Sequence, residues 1–144
     1  MAASTKRSRE AKRRPRLTPR AEFLNVDLDV RSRRSLAALR DAWPWAQTPG
    51  FAAGRVPRRV LVSPRGMPKS AEGAIRELIR LVEALPRGAR RCWNEASSRV
   101  FDIGVQAGLQ PRSFEEARVS EKTLRSLTRL KGSIQFTLYP PHEE

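Results

Sequence analysis

Few side chains in this chain could do chemistry, and their spacing limits what that chemistry would be. Asp27 and Asp29 stand two residues apart in Asn25-Val26-Asp27-Leu28-Asp29-Val30, and Asp102 sits in a similar alternating run, Val100-Phe101-Asp102-Ile103-Gly104-Val105. On neighbouring strands these three carboxylates would share one sheet face, the arrangement that an oxygen-ligated Mg²⁺ or Ca²⁺ or an acid–base pair requires. Strand aspartates among basic side chains are more commonly solvated ion pairs, here with Arg118 or the loop arginines. No metal, cofactor or catalytic set is therefore expected. Cys92 is the one cysteine, so no intramolecular disulfide can form, and its place on an apolar helical stripe suits a small core residue better than a nucleophile. The one histidine, His142, lies near the C-terminus, and no serine stands in a Gly-x-Ser-x-Gly elbow. An enzyme is not expected.

Anion chemistry is better supplied. The segment from Ser63 to Ser70 has the strand-to-helix context of a phosphate-binding loop ending in Lys-Ser, but Ser63 and Pro68 stand where that loop needs glycine, and Pro68 lacks an N–H for the cradle. Nucleotide binding is accordingly not expected, although an anion could sit by Lys69 and Ser70 at the helix start. Net charge points the same way: 29 Lys and Arg against 15 acidic residues leave the chain at +14. Residues 1–20 hold half of it, with Lys6, Arg7, Arg9 and Lys12, then Arg13, Arg14, Arg16 and Arg20, opposed by Glu10 alone. Arg55, Arg58, Arg59, Arg65 and Lys69 form a second region without an acidic residue. Both could neutralise phosphates on nucleic acid, or could serve as a solubilising tail and a guarded sheet edge.

These residues need a scaffold. Residues 1–20 contain Pro15, Pro19 and a single large aliphatic side chain after Met1, Leu17, so they cannot bury enough apolar surface to offset ordering entropy and are expected to be a disordered basic tail. From Ala21 the period-two alternation of Leu24, Val26, Leu28 and Val30 predicts a strand. Ser32 is expected to cap a short helix carrying Leu36, Leu39 and Trp43, followed by an irregular loop whose Trp45 and Phe51 fold back onto the domain. Val60-Leu61-Val62 predicts a brief strand. Ser70 is expected to cap a helix with Ile75, Leu78, Ile79, Val82 and Leu85, and Ala89, Cys92, Trp93 and Ala96 mark a shorter one. The run from Val100 to Ala107 and a weaker one from Glu115 to Val119 suggest a hairpin. Ser120 then caps a helix carrying Leu124, Leu127 and Leu130, Gly132 ends it, and Ser133 to Tyr139 form the last strand.

The expected order β-α-β-α-α-β-β-α-β describes an α+β domain over residues 21–140, with helices on one face of a largely antiparallel sheet and a short tail at 141–144. Leu24, Val26, Leu28, Phe101, Ile103 and Val105, with Ile134, Phe136 and Leu138, are expected under the helices. The opposite face would collect Asn25, Asp27, Asp29, Asp102, Gln106 and Tyr139, with Glu116, Arg118, Gln135 and Thr137. This polar face is the expected binding surface, together with the Trp45/Phe51 loop. Its carboxylates and its scarcity of rings make it a poor RNA-stacking platform. No apolar run approaches the ~20 residues of a membrane span and no secretory signal is evident, so a cytoplasmic location without membrane contact is expected.

The stretches Arg99-Val100-Phe101-Asp102-Ile103-Gly104-Val105-Gln106-Ala107-Gly108, Val119-Ser120-Glu121-Lys122-Thr123-Leu124 and Leu130-Lys131-Gly132-Ser133-Ile134 resemble small bacterial proteins grouped as domains of unknown function. In those a strand, a serine-capped leucine helix, a glycine and a strand ending in Tyr-Pro close an α+β fold. The likeness extends over residues 22–140 and excludes the basic tail. It implies a stand-alone cytoplasmic protein, immunity-like in some members, with no catalytic residues to carry over. Together these readings describe a non-catalytic module for a protein partner of unknown identity. The alternative is a sequence-nonspecific nucleic-acid-associated protein that binds phosphates through Lys6, Arg7, Lys12, Arg13, Arg14 and Arg16 of the arm and through Arg55, Arg58 and Arg59.

Overall fold

The apolar periods along the chain sort into one sheet and the helices that cover it. In the computed structural model, which describes residues 21–52, 54–108 and 117–141, the elements are β1 (Glu22–Arg31), α1 (Ala37–Ala42), β2 (Arg59–Val62), α2 (Ala71–Glu83), α3 (Arg87–Glu95), β3 (Ser98–Gln106), α4 (Glu121–Arg129) and β4 (Ser133–Tyr139). The strands form one sheet in the order β2-β1-β3-β4. β1 pairs antiparallel with β2 and with β3, while β4 joins β3 in parallel after the α4 crossover. The architecture is the expected α+β one, with a mostly antiparallel sheet. The basic arm of residues 1–20 and His142 lie outside the described residues, as do Glu115 and Glu116 of the expected fourth strand. Its remainder, Ala117–Val119, is irregular.

One face of the sheet meets the helices. Val26, Leu28 and Val30 of β1, Val60 and Val62 of β2, and Phe101 and Ile103 of β3 are buried against a single apolar cluster. α2 contributes Ile75, Leu78, Ile79 and Val82 to it, α3 contributes Trp93, and α1 with its flanks contributes Leu36, Leu39 and Trp43. Each such side chain is worth about 1.5–3 kcal/mol when fully buried. Helix starts follow the expected serine caps at two places: Ser70 Oγ accepts from the Gly73 N–H at 3.1 Å, and Ser120 Oγ from the Thr123 N–H at 3.3 Å. At α1 the expectation fails. Ser32 Oγ accepts from the Arg34 N–H at 3.1 Å in a local turn, and α1 starts later, behind Leu36 and without a side-chain cap.

Three residues expected in the core are outside it. Leu24 is 44% exposed because the β1–β3 register shifts between Phe23 and Asn25, a bulge that leaves Leu24 without an opposite number. Phe136 and Leu138, 64% and 71% exposed, lie on the helix-side face but on the edge strand, where Ile134 alone reaches the cluster. Val105 is half-buried rather than buried. The end of α4 also differs from the expected glycine stop. Lys131, not Gly132, takes the left-handed conformation, at φ 58°. The Gly132 N–H donates to the Leu127 carbonyl at 3.0 Å and the Lys131 N–H to that of Thr128 at 2.9 Å, a Schellman closure. Gly132 is needed for space: a Cβ there would stand 2.7 Å from the Phe101 ring and 2.9 Å from Leu127.

Candidate functional site: the open face of the sheet

Alternation along β1 and β3 puts Asn25, Asp27, Asp29, Val100 and Asp102 on the side away from the helices, and the register sets Asp27 directly opposite Asp102 and Asp29 opposite Val100. β2 adds Leu61 opposite Asp29, and β4 adds Gln135 and Thr137 beside Asp102 and Gly104. The strand members of the face predicted from periodicity therefore come together, whereas Arg118 lies off the sheet and Glu116 outside the described residues. No described helix covers this face, and Val100 and Leu61 on it are half-buried.

Its polar groups are held by one another. Asp29 accepts from Arg59 through both oxygens, at 3.0 and 2.9 Å, and from Arg31 at 3.3 Å. Burial pushes the Asp29 carboxyl up, but these two guanidinium hydrogen bonds and charges outweigh it and hold the group below the usual carboxylate range. The same bond raises Arg59 above its ordinary value. Asp27 accepts from Ser63 Oγ at 2.5 Å and from the Asn25 amide at 3.4 Å. Asp102 accepts from Thr137 Oγ1 at 2.7 Å. The ion-pair partners are thus Arg59 and Arg31; Arg118 lies on an exposed segment outside the strands. Among the described residues no three His, Cys, Asp or Glu side chains converge as metal ligands.

Two expected contact residues do structural work. Gln106 is 9% exposed and its amide donates to the Pro140 carbonyl at 2.5 Å, tying down the end of β4. Tyr139 is 46% exposed, and its ring lies over Gly104, 3.3 Å from where a Cβ would stand. A side chain at Gly104 would make that contact tight and push the ring outward by a few tenths of an ångström. A shallow depression on this face is lined by Asp29, Arg31, Arg59, Val100, Asp102 and Gln135. Trp45 folds back as expected, its indole N–H donating to the Ser63 carbonyl at 3.3 Å with Arg65 stacked 4.6 Å from its ring. Phe51 remains 40% exposed under Arg40.

The basic region divides. Arg55 and Arg58 are exposed and, with Arg31, Arg59 and Phe51, line a groove of about 810 Å³ at the β2 end of the sheet. Arg59 is already committed to Asp29. Lys6, Arg7, Lys12, Arg13, Arg14 and Arg16 lie outside the described residues. Cys92 is half-buried and packs against the core cluster. Near the Lys69-Ser70 corner, the Gly66 N–H donates to Glu77 at 2.9 Å, so an acidic side chain holds the loop end.

Sequence reasoning missed two polar anchors. Glu72 accepts from the Ser120 N–H and Oγ, each at 2.7 Å, and from Thr123 Oγ1, joining the start of α2 to the cap of α4. Arg99 donates to three carbonyls, of Trp93, Ala96 and Lys131, at 2.8, 2.7 and 3.1 Å. Burial pushes its guanidinium below its ordinary value. Neither has a periodicity signal; only Glu72, two residues after a cap, could have been flagged.

The fold and this face define a two-layer α+β protein with one covered and one open side. The chain matches no described protein family, no curated protein and no solved structure. Among the described residues no helix is long and apolar enough to cross a membrane.

Proposed function

We propose that this chain is a non-catalytic, cytoplasmic binding module that engages a protein partner through the open face of its sheet, in the way the immunity-like likeness implies. One observation carries the reading: a four-stranded face that no described helix covers, with half-buried Val100 and Leu61 ringed by carboxylates and guanidiniums already paired within the chain. A surface of this kind offers an apolar centre and an ordered polar rim, the anatomy of a protein contact. Asp29, whose charge is matched in place by Arg59 and Arg31, would also lose less on desolvation when a partner covers it.

The test is capture of the partner from the source cells, its identification, and binding of the purified pair by calorimetry. Val100→Lys is expected to weaken that binding by about tenfold or more, because a rigid strand places the new charge at the interface centre. Asn94→Lys, on exposed α3, should leave it unchanged. Equal affinity of the two variants would overturn the assignment to this face.

A second reading rests on the groove lined by Arg55 and Arg58. Two exposed arginines beside Phe51, on a chain of +14, suit phosphates and an unstacked base. Together with the basic arm it predicts binding of duplex DNA or single-stranded RNA that weakens steeply with salt and is lost from a chain starting at Ala21 and carrying Arg55→Ala and Arg58→Ala. Anisotropy across a salt series decides it. Absence of binding near physiological salt contradicts it.

A further inference from the structure

The two edges of the sheet are treated differently. β2 is four residues long, starts at Arg59, and has its outer side met by Gln47, whose N–H and carbonyl exchange 2.8 Å hydrogen bonds with Leu61. β4, at the other edge, is seven residues long and among the described residues has no strand on its outer side. It also lacks the devices that keep edges apart, since Ser133-Ile-Gln-Phe-Thr-Leu-Tyr139 holds no charge, no proline and no bulge, in a chain with 31% charged residues.

Its outward groups can be identified. The Tyr139 carbonyl accepts from the Ala107 N–H at 2.8 Å, so Tyr139 points its backbone towards β3. By alternation Thr137 and Gln135 do the same, and Ile134, Phe136 and Leu138 present their N–H and carbonyl groups outward. On the helix-side face the side chains of Phe136 and Leu138 are 64% and 71% exposed.

We propose that β4 pairs antiparallel with β4 of a second copy of this chain, about a two-fold axis through Phe136, joining two sheets into one of eight strands. In that register Phe136 faces its own counterpart, Ile134 faces Leu138, and Gln135 faces Thr137, so every opposed pair is apolar with apolar or polar with polar. All three outward-pointing residues of each copy become hydrogen-bonded pairs, and no like charges meet despite a net +14 on each chain. A shift by one residue would set apolar against polar side chains, and a shift by two would leave residues of the strand unpaired. The contact is isologous and closes at two copies. It leaves the open faces side by side and uncovered, and its failure would leave the open-face contact standing.

Sedimentation of the full-length chain across a concentration series tests this. The expected species has twice the 16.3 kDa chain mass. Phe136→Pro removes one outward N–H without touching the β3 ladder, and Phe136→Lys sets two ammonium groups opposite each other across the axis. Each is expected to raise the dissociation constant about tenfold or more with an unchanged circular dichroism spectrum, whereas Leu124→Lys on α4 should not. A wild-type chain that stays at single mass through the series, a dimer that survives Phe136→Lys, or open-ended larger species would overturn the proposal. If Phe136→Pro fails to fold, Phe136→Lys decides alone, because that side chain already projects into solvent.

Discussion

At the level of single residues, the fold depends on side chains whose roles are set by space and by partner geometry. Gly132 has no room for a Cβ between Phe101 and Leu127, so Gly132→Ala is expected to destabilise the protein by about 1–3 kcal/mol, as overpacking does. Urea denaturation would show it as a lower midpoint at unchanged slope, and a shift near zero would contradict the contact. Glu72 behaves through its charge. Burial raises its carboxyl, but the hydrogen bonds from Ser120 and Thr123 and the nearby Arg76 outweigh that and hold it below its ordinary value. A depressed carboxylate contributes stability that is present above its unfolded pKa and is lost as pH falls through the lower folded value. The wild type should therefore lose stability between neutral pH and the acid side of the carboxylate range, and Glu72→Gln should lose about 1 kcal/mol less, a figure discounted for solvent screening. Chemical denaturation at both pH values gives the comparison. Asp29, also depressed, adds to the same acid loss.

At the level of elements, strands and helices with a strong period were legible and their ends and neighbours were less so. The alternation in β1 and the apolar stripe of α2 both correspond to what is buried, and Ser70 and Ser120 cap where expected. The start of α1 was misplaced because Ser32 serves a local turn, a use of the hydroxyl that competes with capping. The exposure of Leu24, Phe136 and Leu138 could not be read from alternation, since a bulge and an edge position depend on pairing partners far along the chain. Arg99 was unreadable for the same reason: it links the end of α3 to the turn after α4. Arg99→Met would leave three carbonyls short of a donor and is expected to cost about 2 kcal/mol, more than Arg91→Met on the exposed side of α3. Leu78→Ala, in the middle of the α2 stripe, is expected to cost 2–5 kcal/mol. Thermal melting of the three variants orders them, and an Arg99→Met variant as stable as Arg91→Met would remove the linking role.

At the level of the whole molecule, the two sides of the sheet divide the labour. The helix side holds the apolar cluster, and the open side carries the polar residues that the sequence assigned to it, with Asp27, Asp29 and Asp102 satisfied by Ser63, Arg59 and Thr137. The membership of that face was legible from periodicity, while the pairing of its carboxylates was not, because it depends on which strands become neighbours. Whether a protein partner covers the open face is read directly by site-specific photo-cross-linking in the source cells, with a photoreactive side chain at Val100 on the open face and, in parallel, at Asn94 on α3. A saturable adduct with one protein species is expected from Val100, competed away by added purified wild-type chain, and none from Asn94. The same adduct pattern from both positions, or a nucleic-acid adduct in place of a protein one, would contradict the open-face contact.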